Sequence, residues 1–263
     1  MEADVRRLLN GRGREWSAPI QWLESAGSTN GLMKESARAG APAWSAIVAG
    51  RQTAGRGRQG RAWLSPAGNL FLSVLLRPEL APASAGVLPL AAGVAAAEAA
   101  GEWGVDGRLK WPNDLLVGER KLGGVLVEAS VGNEGRGTVV VGVGMNLGLD
   151  PAAAPPELRG AITSVRVETG RDPGVAVAAA AVLDRLAVWY DALARDGPPA
   201  VLTAWRARSV PWWGQAVEAR CGDAVLRGVA RGLDGRGALI LDLADGSQRA
   251  VFSGEVRELR LES

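Results

Sequence analysis

The sequence predicts an α+β protein, with a mixed β-sheet flanked by helices and a small C-terminal β-barrel. Apolar runs of strand length, such as 70–76, alternate with longer Ala-rich stretches typical of helices, such as 86–102. Beyond about residue 215 the pattern changes to short alternating strands separated by Gly/Asp turns. A chain of 263 residues can form one large and one small domain. We place these domains at 1–213 and 214–263.

The first elements follow from end caps and apolar runs. A short helix is predicted over 2–9, and the small polar side chains of Ser25 to Asn30 can cap a second helix that runs to Gly40. Residues 46–50 carry no polar side chain and 70–76 are apolar except for Ser73, so both are predicted to be buried strands. The Ala-rich stretch that follows, 86–102, is predicted to be a helix.

The middle of the chain predicts more strands and then two helices. The turn 118–120 joins strand segments on its two sides, and the apolar run 138–142 continues the sheet. Prolines mark a loop near 151–156, after which two amphipathic helices are predicted to cover one sheet face. The strand segments are 108–111, 115–117 and 122–127, and the helices are 175–195 and 200–209.

The C-terminal pattern predicts a small barrel. Tight turns at Cys221-Gly222-Asp223, Asp234 to Gly237 and Asp245-Gly246 separate its strands. The predicted strands are 216–220, 224–233, 238–243 and 248–253.

Composition excludes several kinds of chemistry. Histidine is absent, so Ser-His-Asp and Cys-His catalysis and His-ligated zinc are excluded. Cys221 is the only cysteine, which excludes an internal disulfide and a Cys-x-x-Cys metal site. No segment offers about eighteen consecutive apolar residues, and charged residues stand where a signal peptide would be apolar. We therefore expect a cytoplasmic protein without a membrane partner.

Two segments carry most of the polar chemistry. The loop 55–63 places Arg56, Arg58 and Arg61 on a backbone rich in glycine. Amides of such a backbone can turn toward an oxyanion, and guanidinium groups neutralise it. The second segment, 110–124, contains Lys110, Trp111, Pro112, Asn113, Asp114, Lys121, Gly123 and Gly124. Together they predict a site for phosphate or carboxylate.

One reaction class suits an enzyme without histidine. A substrate carboxylate is already ionised at pH 7, so it can attack a phosphoryl centre without losing a proton to a base. The protein then supplies positioning and positive charge. Arg58, Arg61 and Lys121 are the candidates for stabilising the charge that accumulates on the phosphate oxygens.

The ordered set of motifs closely resembles the biotin protein ligases. The set comprises Ser28-Thr29-Asn30, the run from Gln52 to Trp63, Lys110 to Asp114, Lys121 to Gly124, and Gly142 to Asn146. The resemblance implies a class II synthetase-like catalytic domain, the biotin-lipoate ligase fold, and a small SH3-like C-terminal domain. It also implies formation of biotinyl-5′-AMP from biotin and ATP with Mg²⁺, then transfer of biotin to a lysine of a biotin carboxyl carrier domain.

The resemblance assigns roles by position. Catalytic roles fall to Lys121, Arg58 and Asp114, with Asp114 also a candidate Mg²⁺ ligand. The positions matching the biotin site are Ser28, Thr29, Asn30, Gln52, Arg56, Gly57, Arg58, Lys121, Gly124 and Gly142. Those for ATP or the adenylate are Arg58, Arg61, Trp63, Lys110, Asn113 and Asn146, with Trp63 stacking on adenine and Asn146 bonding its edge.

Two positions depart from the family's usual pattern. Gln59 replaces a basic residue, and Met145 replaces a smaller or branched one. The first residues show no counterpart of the DNA-binding domain found in members that also act as repressors. We therefore expect a short-form ligase that does not bind DNA, as a monomer or homodimer.

Other readings remain open at this stage. A lipoate or octanoate ligase would share the fold, although the polar Ser28-Thr29-Asn30 and Gln52 set favours a ligand with a ureido group. A nucleic-acid-binding module could use the arginines of 11–14 and 55–58, but the net charge of +2 argues against it. An inactive scaffold that binds carrier is disfavoured by the intact Lys121 and loop arginines.

Overall fold

The computed structural model describes residues 1–78, 82–131 and 137–258. Its helices are α1 (Glu2–Gly11), α2 (Thr29–Arg38), α3 (Pro82–Ala85), α4 (Leu88–Gly101), α5 (Val165–Thr169), α6 (Val175–Asp196) and α7 (Pro198–Arg208). The strands of the larger sheet are β1 (Ile20–Leu23), β2 (Ala46–Ala49), β3 (Leu70–Leu76), β4 (Arg108–Lys110), β5 (Asp114–Val117), β6 (Arg120–Val131) and β7 (Gly137–Met145). Those of the smaller sheet are β8 (Ala216–Cys221), β9 (Ala224–Leu233), β10 (Leu239–Leu243), β11 (Gln248–Val251) and β12 (Glu255–Glu258).

The larger sheet has seven strands in the order β1-β2-β3-β7-β6-β5-β4. Strands β1 and β2 are parallel and the other neighbours are antiparallel, which confirms the mixed sheet. The sequence analysis missed β1, whose four residues are too short for a convincing alternation. Helix α2 connects β1 to β2 and so supplies the crossover that parallel strands need.

The two faces of the central strands have different neighbours. Leu72 and Val74 of β3 belong to the main core, which is formed with helices α1, α4, α6 and α7. Leu75 belongs to a smaller cluster with Met33 of α2 and Ile47 of β2. Both faces of β3 are therefore covered, which explains why its sequence is apolar rather than alternating.

The smaller sheet has five antiparallel strands in the order β11-β10-β9-β8-β12. Its four predicted strands are confirmed, and β12, which pairs with β8, was not predicted. The predicted range 214–263 includes 259–263, which lie outside the described residues. Trp111, in the larger sheet's part of the chain, donates its indole N–H to the carbonyl of Gly237, 3.0 Å away. This bond ties the two sheets together beside the motif 110–114.

The first Gly/Arg run, 11–14, is folded onto the helices. Arg12 forms ion pairs with Glu102 and Asp184, and Arg14 with Asp184. These arginines are therefore engaged with carboxylates of this chain and are not a free basic tail.

Among the described helices, none is long and apolar enough to cross a membrane.

Candidate active site

A cleft opens on the α2 side of the larger sheet, opposite the long helices. Residues of α2, of the loop 52–63, of β4 to β7 and of the C-terminal sheet line it. Of the residues predicted for the site, the cleft collects Ser28, Thr29, Asn30, Gln52, Arg56, Gly57, Arg58, Arg61, Trp63, Lys110, Asn113, Asp114, Lys121, Gly124 and Gly142. Asn146 is the one predicted site residue that does not line it.

A buried polar network forms one end of the cleft, at the start of α2. Ser28 is the N-cap of this helix and accepts a hydrogen bond from the amide of Gly31. Gln52 accepts hydrogen bonds through Oε1 from the backbone N–H of Thr29 at 2.8 Å and from its hydroxyl at 3.2 Å. The Gln52 Nε2 group donates to Ser65 Oγ at 3.2 Å. Both amide ends of Gln52 are therefore used, and its orientation is defined.

Ser73, on strand β3, is the most deeply buried member of this network. Its hydroxyl lies 2.6 Å from Asn30 Oδ1 and 2.8 Å from Thr29 Oγ1, and the residue is fully buried. Neither Ser73 nor Ser65 was predicted for the site. The available signal for Ser73 was that it is the only polar residue in the apolar run 70–76, since a buried hydroxyl needs polar partners.

Glu128 is a third residue of this network that the sequence analysis missed. Its carboxylate accepts hydrogen bonds from Lys34 Nζ at 2.6 Å and from Asn30 Nδ2 at 2.9 Å. Burial by itself would raise the pKa of Glu128, but these bonds and the charges of Lys34 and Arg56 outweigh it and lower the pKa. Glu128 is therefore a carboxylate at neutral pH.

Glycines make room for this end of the site. A Cβ at Gly142 would lie 2.2 Å from Asn30 Oδ1, and one at Gly144 would lie 2.8 Å from Trp63 Nε1. Met145, between Gly144 and Asn146, is fully buried and belongs to the core on the opposite sheet face. The unusual methionine therefore does not narrow the cleft.

The arginine loop, which carries Arg56, Arg58 and Arg61, is a hydrogen-bonded turn. Arg56 and Ala62 form an isolated antiparallel bridge, and the amide of Gly57 donates to the carbonyl of Arg61 at 2.7 Å. Gln59 and Gly60 turn the chain with φ values of 55° and 74°. Only the glycine adopts this left-handed region without steric cost. The loop thus presents its arginine side chains along one wall of the cleft.

The C-terminal sheet holds this loop. Arg58 donates to Ser253 Oγ at 3.0 Å and to the Gly254 carbonyl at 3.4 Å. Desolvation lowers the pKa of the Arg58 guanidinium. Arg61 makes two hydrogen bonds of 2.9 Å to Glu255, and these lower the pKa of that carboxylate. Glu255 and Gly254 line the cleft, so its rim includes residues that were not predicted for the site.

Lys121 lines the cleft beside Asp114 and Trp63. Its Nζ is 2.6 Å from Asp114 Oδ1 and 5.0 Å from the centre of the Trp63 ring. The Trp63 indole N–H is buried without a hydrogen-bond partner. A cation over an indole face is stabilised by the ring quadrupole. Lys121 therefore has two neighbours that stabilise its charge beside a space for ligand.

The segment 110–114 shapes the opposite wall. Asn113 donates through Nδ2 to the Val125 carbonyl at 2.8 Å, and its Oδ1 faces Arg58 at 3.4 Å. The Trp111–Pro112 peptide bond is cis. Lys110 adds a positive charge that contributes to the low pKa of Glu255. The walls thus carry several cations around Asp114 and Glu255.

Asn146 has a different environment. It is buried, and its Nδ2 donates to the Thr163 carbonyl at 2.9 Å and to the Lys121 carbonyl at 3.4 Å. Its backbone N–H donates to Leu122 at 2.8 Å. Asn146 therefore braces the strand that carries Lys121.

A metal site made by protein groups alone is absent from the described residues: no three Asp, Glu, Cys or His groups there are close enough to hold an ion. Two of the described carboxylates line the cleft, Asp114 and Glu255, and Glu255 is bound by Arg61. Mg²⁺ bound with a nucleotide commonly uses one or two carboxylates and the phosphates themselves. The cleft carboxylates therefore fit a metal ion that binds together with a nucleotide, and they do not fit a metal ion held by protein groups alone.

Two segments of the chain match known protein families. Residues 22–146 match the biotin/lipoate A/B protein ligase family, and 213–257 match the biotin protein ligase C-terminal domain. A biotin–[acetyl-CoA-carboxylase] ligase of Paracoccus denitrificans is 38% identical over 213 residues, which cover 76% of this chain and 83% of the relative. The corresponding ligase of Mycobacterium tuberculosis is 32% identical over 267 residues, covering 98% and 96%.

This chain belongs to the biotin protein ligase family. It is therefore a ligase. A solved biotin protein ligase from Aquifex aeolicus, in complex with biotin and ATP, superposes with a TM-score of 0.77 at 28% identity. That match covers 92% of this chain and 99% of the Aquifex chain, and it confirms the predicted fold class for this biotin protein ligase.

Proposed function

We propose that this ligase activates biotin with ATP to give biotinyl-5′-AMP and then transfers the biotinyl group to a lysine of a biotin carboxyl carrier domain. The observation that carries this proposal is the single cleft that joins a buried hydroxyl and amide network to a wall of arginines and Lys121. The network suits a polar head group, and the cations suit a carboxylate beside a triphosphate. The names of the relatives and the biotin and ATP in the Aquifex complex support the same pair of substrates.

Biotin would bind with its ureido ring at the polar end. Ser28, Thr29, Asn30 and Gln52 line that end, and their hydroxyl and amide groups can pair with ureido N–H and C=O groups. A buried polar atom without a partner costs about 1–3 kcal/mol. Gly142 and Gly124 leave space along the sheet, and Arg56 and Gly57 would close over the ring from the loop.

In the first half-reaction an oxygen of the biotin carboxylate attacks the α-phosphorus of ATP, and the bond to the β-phosphate oxygen breaks. Pyrophosphate leaves with the bonding electron pair. Negative charge increases on oxygens around the α-phosphorus, where Lys121, Arg58 and Arg61 would stabilise it. Lys110 and Asn113 would contact the nucleotide.

The nucleotide would lie along the Trp63 side of the cleft. We propose that Trp63 stacks on adenine, using a ring already beside the backbone of Gly144. The assignment of Asn146 to the adenine edge stays a prediction, and the structure favours an indirect role through the strand it braces. Mg²⁺ would be held mainly by phosphate oxygens with Asp114 as the protein ligand, and it would neutralise phosphate charge.

In the second half-reaction the amine nitrogen of a carrier lysine attacks the biotinyl carbonyl, an amide bond forms, and AMP leaves. The amine loses one proton in this step, and solvent water takes it up. Asp114 would orient the amine from its position beside Lys121. The carrier is proposed to be the carboxyl carrier domain of a biotin-dependent carboxylase, because the relatives are named as ligases of acetyl-CoA carboxylase.

We propose a catalytic domain at 1–213 and an SH3-like domain at 214–263, with the second domain supporting the arginine loop. The contacts of Arg58 with Ser253 and of Arg61 with Glu255 support that role. The cytoplasmic location, the lack of DNA binding and the monomeric or homodimeric state stay predictions.

The decisive experiment is ATP–pyrophosphate exchange with biotin, lipoate, octanoate or no acid. Exchange that depends on biotin is the expected result. Exchange only with lipoate or octanoate would show that the chain is a lipoate or octanoate ligase, the other activity within the biotin/lipoate A/B protein ligase family. Exchange with none of the acids would contradict the adenylation step.

A further inference from the structure

Glu128 does not line the cleft, yet it is linked to the cleft by a chain of hydrogen bonds. Lys34 Nζ lies 2.6 Å from one carboxylate oxygen, and Asn30 Nδ2 lies 2.9 Å from the other. Lys34 and Glu128 are about equally shielded, with side-chain exposures of 27% and 30%. The ion pair therefore holds a carboxylate behind the polar end of the site.

The Glu128 carboxylate and the Leu126 carbonyl together determine which way the Asn30 amide points. Its Nδ2 faces Glu128 Oε2 and, at 3.2 Å, the carbonyl of Leu126. Both are acceptors without a proton, so the NH₂ end of the amide must be directed at them. The Oδ1 end is then directed at Ser73 Oγ, 2.6 Å away.

The orientation of the Asn30 amide sets the hydrogen-bond directions of Ser73 and of Thr29, which lines the cleft. Ser73 has one hydroxyl proton, and Asn30 Oδ1 can only accept, so Ser73 donates to Asn30. The Ser73 oxygen, 2.8 Å from Thr29 Oγ1, is then an acceptor for the Thr29 hydroxyl. The alternative acceptor for that proton is Gln52 Oε1 at 3.2 Å. With either acceptor, the hydroxyl proton of Thr29 is donated to another protein group.

We infer that Glu128 is a positioning residue that makes the Thr29 hydroxyl a hydrogen-bond acceptor toward the cleft, so that the site selects a head group presenting an N–H at this position. This inference rests on the proposed function, because it identifies the group of biotin that the network recognises. A ring oxygen in place of that N–H would face the lone pairs of Thr29 without a proton between them. A linear acyl chain would leave the same acceptor unpaired.

The test compares the affinity of biotin with that of two analogues in which one or the other ring N–H is replaced by oxygen. Binding is measured by calorimetry without ATP, so that chemistry does not contribute. The unaltered chain is expected to prefer biotin to at least one analogue by about 10- to 100-fold. Glu128→Gln offers Asn30 an NH₂ group as well as an oxygen, so that only the weaker bond to the Leu126 carbonyl still directs the amide and the reversed orientation becomes accessible. This variant is expected to lower the preference about fivefold or more.

Glu35→Gln is the matched control. It makes the same chemical change on the exposed side of α2, next to Lys34, and should keep the preference of the unaltered chain. Thermal unfolding checks that each variant is folded. If Glu128→Gln does not fold, Ser73→Ala, which removes the hydrogen-bonded link between Asn30 and Thr29, should lower the preference in the same direction.

Several results would overturn the inference. Equal binding of biotin and both analogues by the unaltered chain would show that no N–H is selected. A Glu128→Gln variant that weakens all three ligands by the same factor would reduce Glu128 to a structural residue. Failure of the unaltered chain to bind biotin would instead overturn the proposed function, and the inference with it.

Discussion

Lys121 Nζ lies 2.6 Å from Asp114 Oδ1, with the two residues on neighbouring antiparallel strands β6 and β5. A register shift between Leu115 and Leu116 separates the pairing of Asp114 with Gly124 from that of Leu116 with Lys121. The ion pair is partly exposed at the cleft, so its direct contribution to folding stability is small. Its consequence is positional, because it holds an ammonium group where the reacting phosphate and carboxylate are proposed to meet.

Lys121→Ala is therefore expected to lower kcat/KM for biotin-dependent pyrophosphate exchange by about 100-fold or more, as loss of a preorganised charge commonly does. The fold should be unchanged, since the lysine side chain is not part of the core. Arg7→Ala, which removes a cation from an exposed position on α1, is the control. Near-normal exchange by Lys121→Ala would remove this residue from the mechanism.

Gly142→Ala tests the space at the polar end of the cleft. The added Cβ would lie 2.2 Å from Asn30 Oδ1, so the Asn30 amide must move. Forced overpacking of this kind costs about 1–3 kcal/mol of unfolding free energy, and biotin binding should weaken because Asn30 is displaced. Gly137→Ala on the same strand, where an added Cβ meets no atom within 4 Å, is the matched control. Urea unfolding and calorimetry measure the two effects, and equal behaviour of the variants would contradict the proposed contact.

The pH dependence of stability can be tested at Glu102. Hydrogen bonding to Arg12, opposed by burial, lowers the pKa of Glu102 in the folded state, with a further bond from Arg185. A lowered folded-state pKa contributes stability above the unfolded value of about 4.3, and that contribution is lost as pH falls through the folded-state pKa. Glu102→Gln should therefore be less stable than the unaltered chain at pH 7, by about 1 kcal/mol. The difference should shrink toward zero below about pH 4; a constant difference from pH 7 to pH 3 would contradict this.

Hydrogen exchange tests how ligand and the C-terminal sheet hold the arginine loop. Amides of residues 53–64 should exchange more slowly when biotin and ATP are added, because bound anions would neutralise the neighbouring guanidinium groups. Glu255→Gln removes the charged partner of Arg61 and should speed exchange of this loop in the free protein. Glu258→Gln, at the other end of β12, is the control. Unchanged exchange on adding both ligands would contradict ordering of the loop.

The sequence by itself determined the element types, the fold class and most of the cleft. Repeated apolar runs identified the central strands because β3 and β7 are covered on both faces. The Gly/Arg loop and the Lys110 to Gly124 segment identified an anion site because their chemistry is local to each segment. Among the described helices and strands, β1, α3, α5 and β12, all of five residues or fewer, lacked a sufficient pattern.

Tertiary structure alone decided which distant groups meet. Strand register places Ser73 and Glu128 beneath Asn30, and packing of the smaller sheet brings Glu255 to Arg61 and Ser253 to Arg58. It also turns Asn146 toward Thr163 and away from the cleft. These contacts depend on hydrogen-bonded pairing and side-chain packing between segments far apart in the chain, and no local period or spacing in the sequence records them.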